Sequence, residues 1–223
     1  MLNGLIGKKI GMTQVADGTG RVRAATVISL GPCVVSQLKT APTDGYDAVQ
    51  VTFGKKKLSR VSKALRGHFA KASVAAGART REFVRRGEGE LALGQPIAAG
   101  DVFQVGDQVD VEGVSKGHGY AGVIKRHHFS GFPGTHGTHE YFRHGGSIGN
   151  RSFPGRVRKG LRMAGQLGNE CVTVLNLEVI ELLPEDNAVV VSGAVPGADG
   201  GFVVVTHAAR PRRKAMTKVA ANA

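Results

Sequence analysis

The chain of 223 residues has no Trp, three Tyr, two Cys and only 17 acidic residues against 30 Lys and Arg. Each scarcity removes a class of protein. Two cysteines, Cys33 and Cys171, with no CxxC spacing, are too few for a disulfide framework, so a reducing cytosol is the expected setting. No apolar run approaches the ~18 residues that would span a bilayer, which excludes a membrane helix. The opening MLNGLIGKKIGM places Lys8 and Lys9 inside what an export signal would need as a continuous apolar stretch, and no such signal is expected.

The shortage of acid is local. Residues 53–86 hold eleven Lys or Arg and one acid, Glu82; residues 115–165 hold nine and one, Glu140, together with six of the eight His. The overall charge of +13 therefore sits in two segments, and the remainder of the chain is net acidic. Solubility alone requires no such segregation; surfaces that meet a polyanion do.

Val outnumbers Leu two to one, and β-branched side chains suit a pleated, half-buried surface. Strands are predicted over 21–30, 33–40, 46–53, 107–114, 171–182, 187–192 and 202–206. They are separated by turn signals such as Gly31-Pro32, Thr43-Asp44-Gly45 and Pro196-Gly197. Many short strands with polar turns point to a mainly β fold closed into a barrel, which leaves no exposed edge. Between strands, Leu58, Val61, Leu65 and Phe69 recur at helical spacing and predict a short basic helix, weakened by Gly67.

Residues 115–165 contain 12 Gly and too few aliphatic and Phe side chains to form a core of their own. A segment this long within a compact domain is functional or disordered. Its composition suits folded RNA: Gly lets the backbone approach another surface, Lys and Arg neutralise phosphates, and Arg and His stack on bases. Interspersed rings at Phe129, Phe132, Tyr141, Phe142 and Phe153 argue against a merely solvating tail and for a conformation ordered with a partner. The candidate RNA contacts are Lys116, Lys125, Arg126, His127, His128, Arg143, His144, Arg151, Arg156, Arg158, Lys159 and Arg162 in this segment. Lys55, Lys56, Lys57, Arg60, Lys63 and Arg66 join them from the helical insert. The domain plan is a β body of 1–114 and 166–209, including the basic helical insert 53–86, an extended loop at 115–165 and a basic C-terminal tail at 210–223.

Two tempting motifs carry less. Gly117-His118-Gly119-Tyr120-Ala121-Gly122 fits GxGxxG, but Gly131 and Pro133 soon interrupt the helix such a site must open, and no βα alternation follows. His127, His128, His136, His139 and His144 allow a metal by spacing, yet HGTHE is not HExxH and no Cys lies nearby. An enzyme holding metal in this insertion, and a nonspecific DNA-compacting protein, are the competing readings. Stoichiometric zinc would favour the enzyme; the DNA reading lacks a groove-sized helix or ribbon.

The stretches MLNGLIGKKIGMTQ, GHFAKA (67–72), VDVEGVSKGHGYAGVIKRHHF (109–129), GSIGNRSFPGRVRKGLRMAGQLGNECVTV (146–174) and GAVPG (193–197) occur in this order along essentially the whole chain. Together they resemble the bacterial large-ribosomal-subunit protein three family. The resemblance implies a translation-protein-type β-barrel and no enzymatic activity, cofactor, metal or small-molecule substrate. It implies 23S rRNA as partner, neighbouring ribosomal proteins such as L14 and L19, a cytoplasmic location in the ribosome and a role in early subunit assembly. It also implies that 115–165 enters the RNA toward the peptidyl-transferase region, with Gly145, Gly146, Ser147, Asn150, Arg151 and Ser152 near its inner tip. Asn150 stands where some relatives of that family have an N-methylated Gln.

Overall fold

The computed structural model describes residues 2–16, 20–85 and 91–211. In chain order the strands are β1 (Gly4–Ala16), β2 (Val22–Ser29), β3 (Cys33–Lys39), β4 (Ala48–Phe53), β5 (Arg79–Val84), β6 (Pro96–Ile97), β7 (Gln108–Val114), β8 (Gly119–Ala121), β9 (Gly165–Leu167), β10 (Cys171–Leu183), β11 (Ala188–Ser192) and β12 (Phe202–His207). The helices are α1 (Ala41–Asp44), α2 (Lys63–Lys71) and α3 (Val123–His127). By contacts the chain divides into two compact units, Met1–Val114 with Cys171–Ala223, and Ser115–Glu170. The predicted tail beyond Pro211 lies outside the described residues, as does Arg86 at the end of the basic insert.

In the first unit, β1-β12-β7-β10-β11-β2 close into a six-stranded barrel, and β5-β4-β3-β6 form a second antiparallel sheet. The mainly β expectation and its barrel hold. One contiguous core serves both sheets: Leu5, Ile28, Val109, Val111, Val179, Val189 and Val205 from the barrel meet Cys33, Val35, Val49, Val51 and Phe103. At about 1.5–3 kcal/mol for each fully buried large side chain, this cluster is the main favourable contribution to folding. The pleat explains why Val dominates it. In β12, Val203 and Val205 are buried and their neighbours are half-buried, as strict alternation requires.

All seven predicted strands form, with ends moved by one or two residues. Five more were not predicted: β1, β5, the two-residue β6, and β8 and β9 of the second unit. Within β1 burial changes regime, from continuous at Gly4–Gly7 to mostly exposed beyond Lys9, so no single period marks it. Lys9 itself is buried, its Nζ donating to the carbonyls of Val195 (3.1 Å) and Gly197 (3.3 Å) and lying 3.7 Å from Asp199. A buried ammonium is tolerable only with such partners. They fasten β1 to the loop that precedes β12.

The basic helix is shorter than its apolar spacing predicts. Leu58–Arg60 form a 3-10 turn, and Ser62 then caps α2, its Oγ accepting the Leu65 N–H at 3.4 Å. The break rotates Leu58 and Leu65 into solvent. Val61 and Phe69 remain buried, in a small cluster with Ala76.

The second unit has little core. Among its described residues only Ala121 is buried. It is held by the β8–β9 ribbon, with Gly119 opposite Leu167 and Ala121 opposite Gly165, and by short-range turns.

Candidate nucleic-acid interface

In the first unit the candidate cations follow β4. Gly54 turns the chain at φ +72° and Lys55, Lys56 and Lys57 lie exposed before the 3-10 turn. Arg66 on α2 is committed internally: Nε donates to the Val61 carbonyl (3.1 Å) and Nη2 to that of Leu58 (2.7 Å), closing the turn onto the helix. His68 faces the sheet, with Nε2 2.7 Å from Gln50 Oε1. Lys55, Lys56, Lys57, Arg60 and Lys63 are exposed, and among the described residues their side chains have no hydrogen-bonding or ionic partner.

The only acid of this basic segment is neutralised on the sheet face. Glu82 on β5 receives Lys39 Nζ at 2.9 Å and the Tyr46 hydroxyl at 2.8 Å, and Lys39 donates to Tyr46 at 2.6 Å. These donors hold the Glu82 carboxyl below its ordinary range, and the same contacts raise Lys39. The surface around α2 thus keeps its positive sign.

In the second unit, α3 ends at His128, which adopts the left-handed conformation (φ +60°) and donates its N–H to the Ile124 carbonyl. Arg126 Nη1 and His127 Nε2 both donate to the Met163 carbonyl, at 2.8 and 3.1 Å. These two predicted contact residues therefore serve first as braces that hold α3 against the segment leading into β9. Gly131, at φ +74°, lies against the Phe142 carbonyl, where any Cβ would collide. The adjoining Phe132 N–H donates to that carbonyl at 3.0 Å. This cross-link and the 3-10 turn His139–Arg143 bring His144 beside the end of α3. The Tyr141 and His144 rings lie 4.9 Å apart, and those of His127 and Phe129 6.2 Å apart.

The other predicted cations, Lys116, Lys125, Arg143, Arg151, Arg156, Arg158, Lys159 and Arg162, are all exposed. Among the described residues none of these side chains has a hydrogen-bonding or ionic partner. Only two acids, Glu140 and Glu170, share the unit with them. Gly145, Gly146, Ser147, Asn150, Arg151 and Ser152 are exposed, and the side-chain order there is a local turn in which Ser147 Oγ accepts the Gly149 N–H at 3.4 Å and donates to the Gly149 carbonyl at 3.3 Å.

Apolar rings are exposed among these charges: Phe153 is 86% accessible and Tyr120 80%. Tyr120 and Ile148 are surface features that sequence reasoning missed. The β8 register that turns Tyr120 outward depends on β9, which is too short to be read from period. Among the described residues no three His, Cys, Asp or Glu side chains converge as a metal site would require.

Two comparisons bear on this surface. A family model described as ribosomal protein L3 matches residues 89–204. The large ribosomal subunit protein uL3 of Acidothermus cellulolyticus is 50% identical over 210 residues, 94% of each chain. Its namesake from Pseudomonas aeruginosa is 51% identical over 212 residues, 95% of this chain and 100% of that one. The protein of that name from Herpetosiphon aurantiacus is 47% identical over 218 residues, 96% of this chain and 100% of its own.

Proposed function

The chain belongs to the ribosomal protein L3 family, and from that premise we propose that it binds 23S rRNA through two cationic surfaces, one around α2 and one along Ser115–Glu170. It is a structural constituent of the large ribosomal subunit and not an enzyme. The barrel acts as the anchor, and the second unit as an extension that enters the RNA toward the peptidyl-transferase region. Gly145, Gly146, Ser147, Asn150, Arg151 and Ser152 form its inner tip. Early assembly of the subunit and contact with ribosomal proteins L14 and L19 belong to the same proposal.

The observation that carries it is a set of eight cations, unpaired among the described residues, in a unit that contains two acids. Like charges crowded on a chain with little core repel one another, and a polyphosphate backbone supplies the missing counter-charge while releasing condensed cations. Within the same proposal Arg126, His127 and Arg66 shape the surface, and Lys55, Lys56, Lys57, Arg60 and Lys63 contact phosphates from the barrel side. His128 and His144 add ring faces beside the phosphate contacts. Titration of the protein with a 23S rRNA fragment at increasing salt tests it. A steep linear fall of log affinity with log salt is expected; affinity independent of salt would overturn it.

A further inference from the structure

The turn that brings His144 beside α3 leaves two recesses with one shared wall. The first, of about 410 Å³, is lined in part by His128, Phe132, His144 and Arg162. The second, of about 330 Å³, is more apolar and is lined in part by Val123, Ile148, Leu161 and Met163. Phe129, Gly145, Gly146 and Arg162 belong to both. Gly146 sits at φ +79° with nothing within 4 Å of where a Cβ would stand, so this part of the wall is bare backbone.

We infer that these paired recesses seat one unpaired RNA nucleotide, its phosphate beside His128, His144 and Arg162 and its base against Phe129, Ile148 and Leu161. The inference rests on the reading of this unit as RNA-binding and names what one part of it takes. A nucleotide has the same two-part chemistry as the site, an anion joined to a flat ring with apolar faces. The two recesses adjoin through the residues they share, as the joined parts of one nucleotide require. The smaller recess is at the low end of the ~300–1,000 Å³ range of small-ligand sites, room for one base rather than a stacked pair. A base within a helix hides its faces, so only one that is bulged or looped out can enter. Ile148 is 57% and Leu161 41% exposed, and a base laid on them removes that apolar surface from water.

Two RNA duplexes that differ by one bulged nucleotide, titrated against the full chain, test the seat. The wild type is expected to prefer the bulged duplex by about fivefold or more, as one stacked base contributes. The double substitution Ile148→Ala with Leu161→Ala changes only partly exposed side chains. It is expected to abolish the preference and leave affinity for the paired duplex unchanged, with an unaltered circular dichroism spectrum as the folding control. Equal wild-type affinity for both duplexes, or a preference that survives the double substitution, overturns the nucleotide seat and leaves the RNA reading standing. Failure of the wild type to bind either duplex in a salt-dependent way overturns that reading as well.

Discussion

The Asp110 carboxylate accepts the backbone N–H of Asn176 at 2.8 Å, where β10 slips register against β7 between Val174 and Leu177. The slip removes Asn176 from the ladder, and a side chain 66 positions earlier in the chain satisfies its amide. The same carboxylate also accepts the Ala209 N–H at 3.2 Å, so one buried acid fastens both the bulge and the end of the barrel. Replacing Asp110 by Ala is expected to lower stability by about 1.5–3 kcal/mol, since hydrogen bonds to a charged group are lost and two amides lose their acceptor. Urea unfolding, read as a lower midpoint at unchanged slope, measures it.

Asn176 supplies a second test of the bulge. Its φ is +57°, and among the described residues its buried Oδ1 has no hydrogen-bond partner. Asn176→Gly relieves both, and stability is expected to hold or rise by up to about 1 kcal/mol, whereas Asn176→Val is expected to lose about 1–2 kcal/mol. Thermal melting of the two variants in parallel decides it; equal melting points would mean that the backbone conformation carries no penalty here.

Arg156, Arg158 and Lys159 are close in sequence and exposed, and among the described residues their side chains have no acceptor. Their joint replacement by Ala is expected to reduce the slope of log RNA affinity against log salt by up to ~2–3, with no change in melting temperature. An unchanged slope would remove these three from the set of phosphate contacts.

The Glu82 contribution is linked to acid pH. Its carboxyl is held below the ordinary value of 4.5, first by the hydrogen bond from Lys39 and then by that from Tyr46. A depressed carboxylate stabilises the fold above its unfolded value, and that stability is lost as pH falls through the folded one. The difference in melting temperature between wild type and Glu82→Gln is therefore expected to be constant near neutrality and to shrink below pH 4.5. A difference that grows in acid would show the opposite linkage.

The two thiols are expected to react unlike ordinary cysteines. Exposed Cys171 lies 3.1 Å from Glu112 Oε1, and this hydrogen bond to a carboxylate raises its pKa. Burial pushes Cys33 up to about 11. Alkylation of the folded protein is expected to be slow at Cys171, faster after Glu112→Gln, and undetectable at Cys33 until the chain unfolds.

Where burial followed a single period the strand was legible in the sequence, as with Val203 and Val205 in β12. β1 was not, because Gly4–Gly7 face the core without interruption and most residues beyond Lys9 face water. β5 was hidden for a related reason: of Arg79–Val84 only Phe83 is buried, and the rest read as basic surface. At the candidate interface the sequence marks which residues are cationic but not which carbonyls they find. Arg66, Arg126 and His127 share the composition of their neighbours, yet each closes a turn or braces a helix, through contacts that only folding creates. Tyr120 and Ile148 were missed because their exposure depends on partners distant in the chain or on a turn built from glycine.

The chain leaves the barrel after Val114 and returns at Cys171, and these two residues are direct partners in the β7–β10 ladder. Everything between them is thus spliced into what would otherwise be a hairpin, and the cost of bringing its ends together is borne by strand pairing rather than by the inserted segment. That junction is a natural cassette boundary. An engineer can exchange the intervening stretch for a peptide whose termini meet at the spacing of neighbouring strands, leaving barrel closure to the ladder itself.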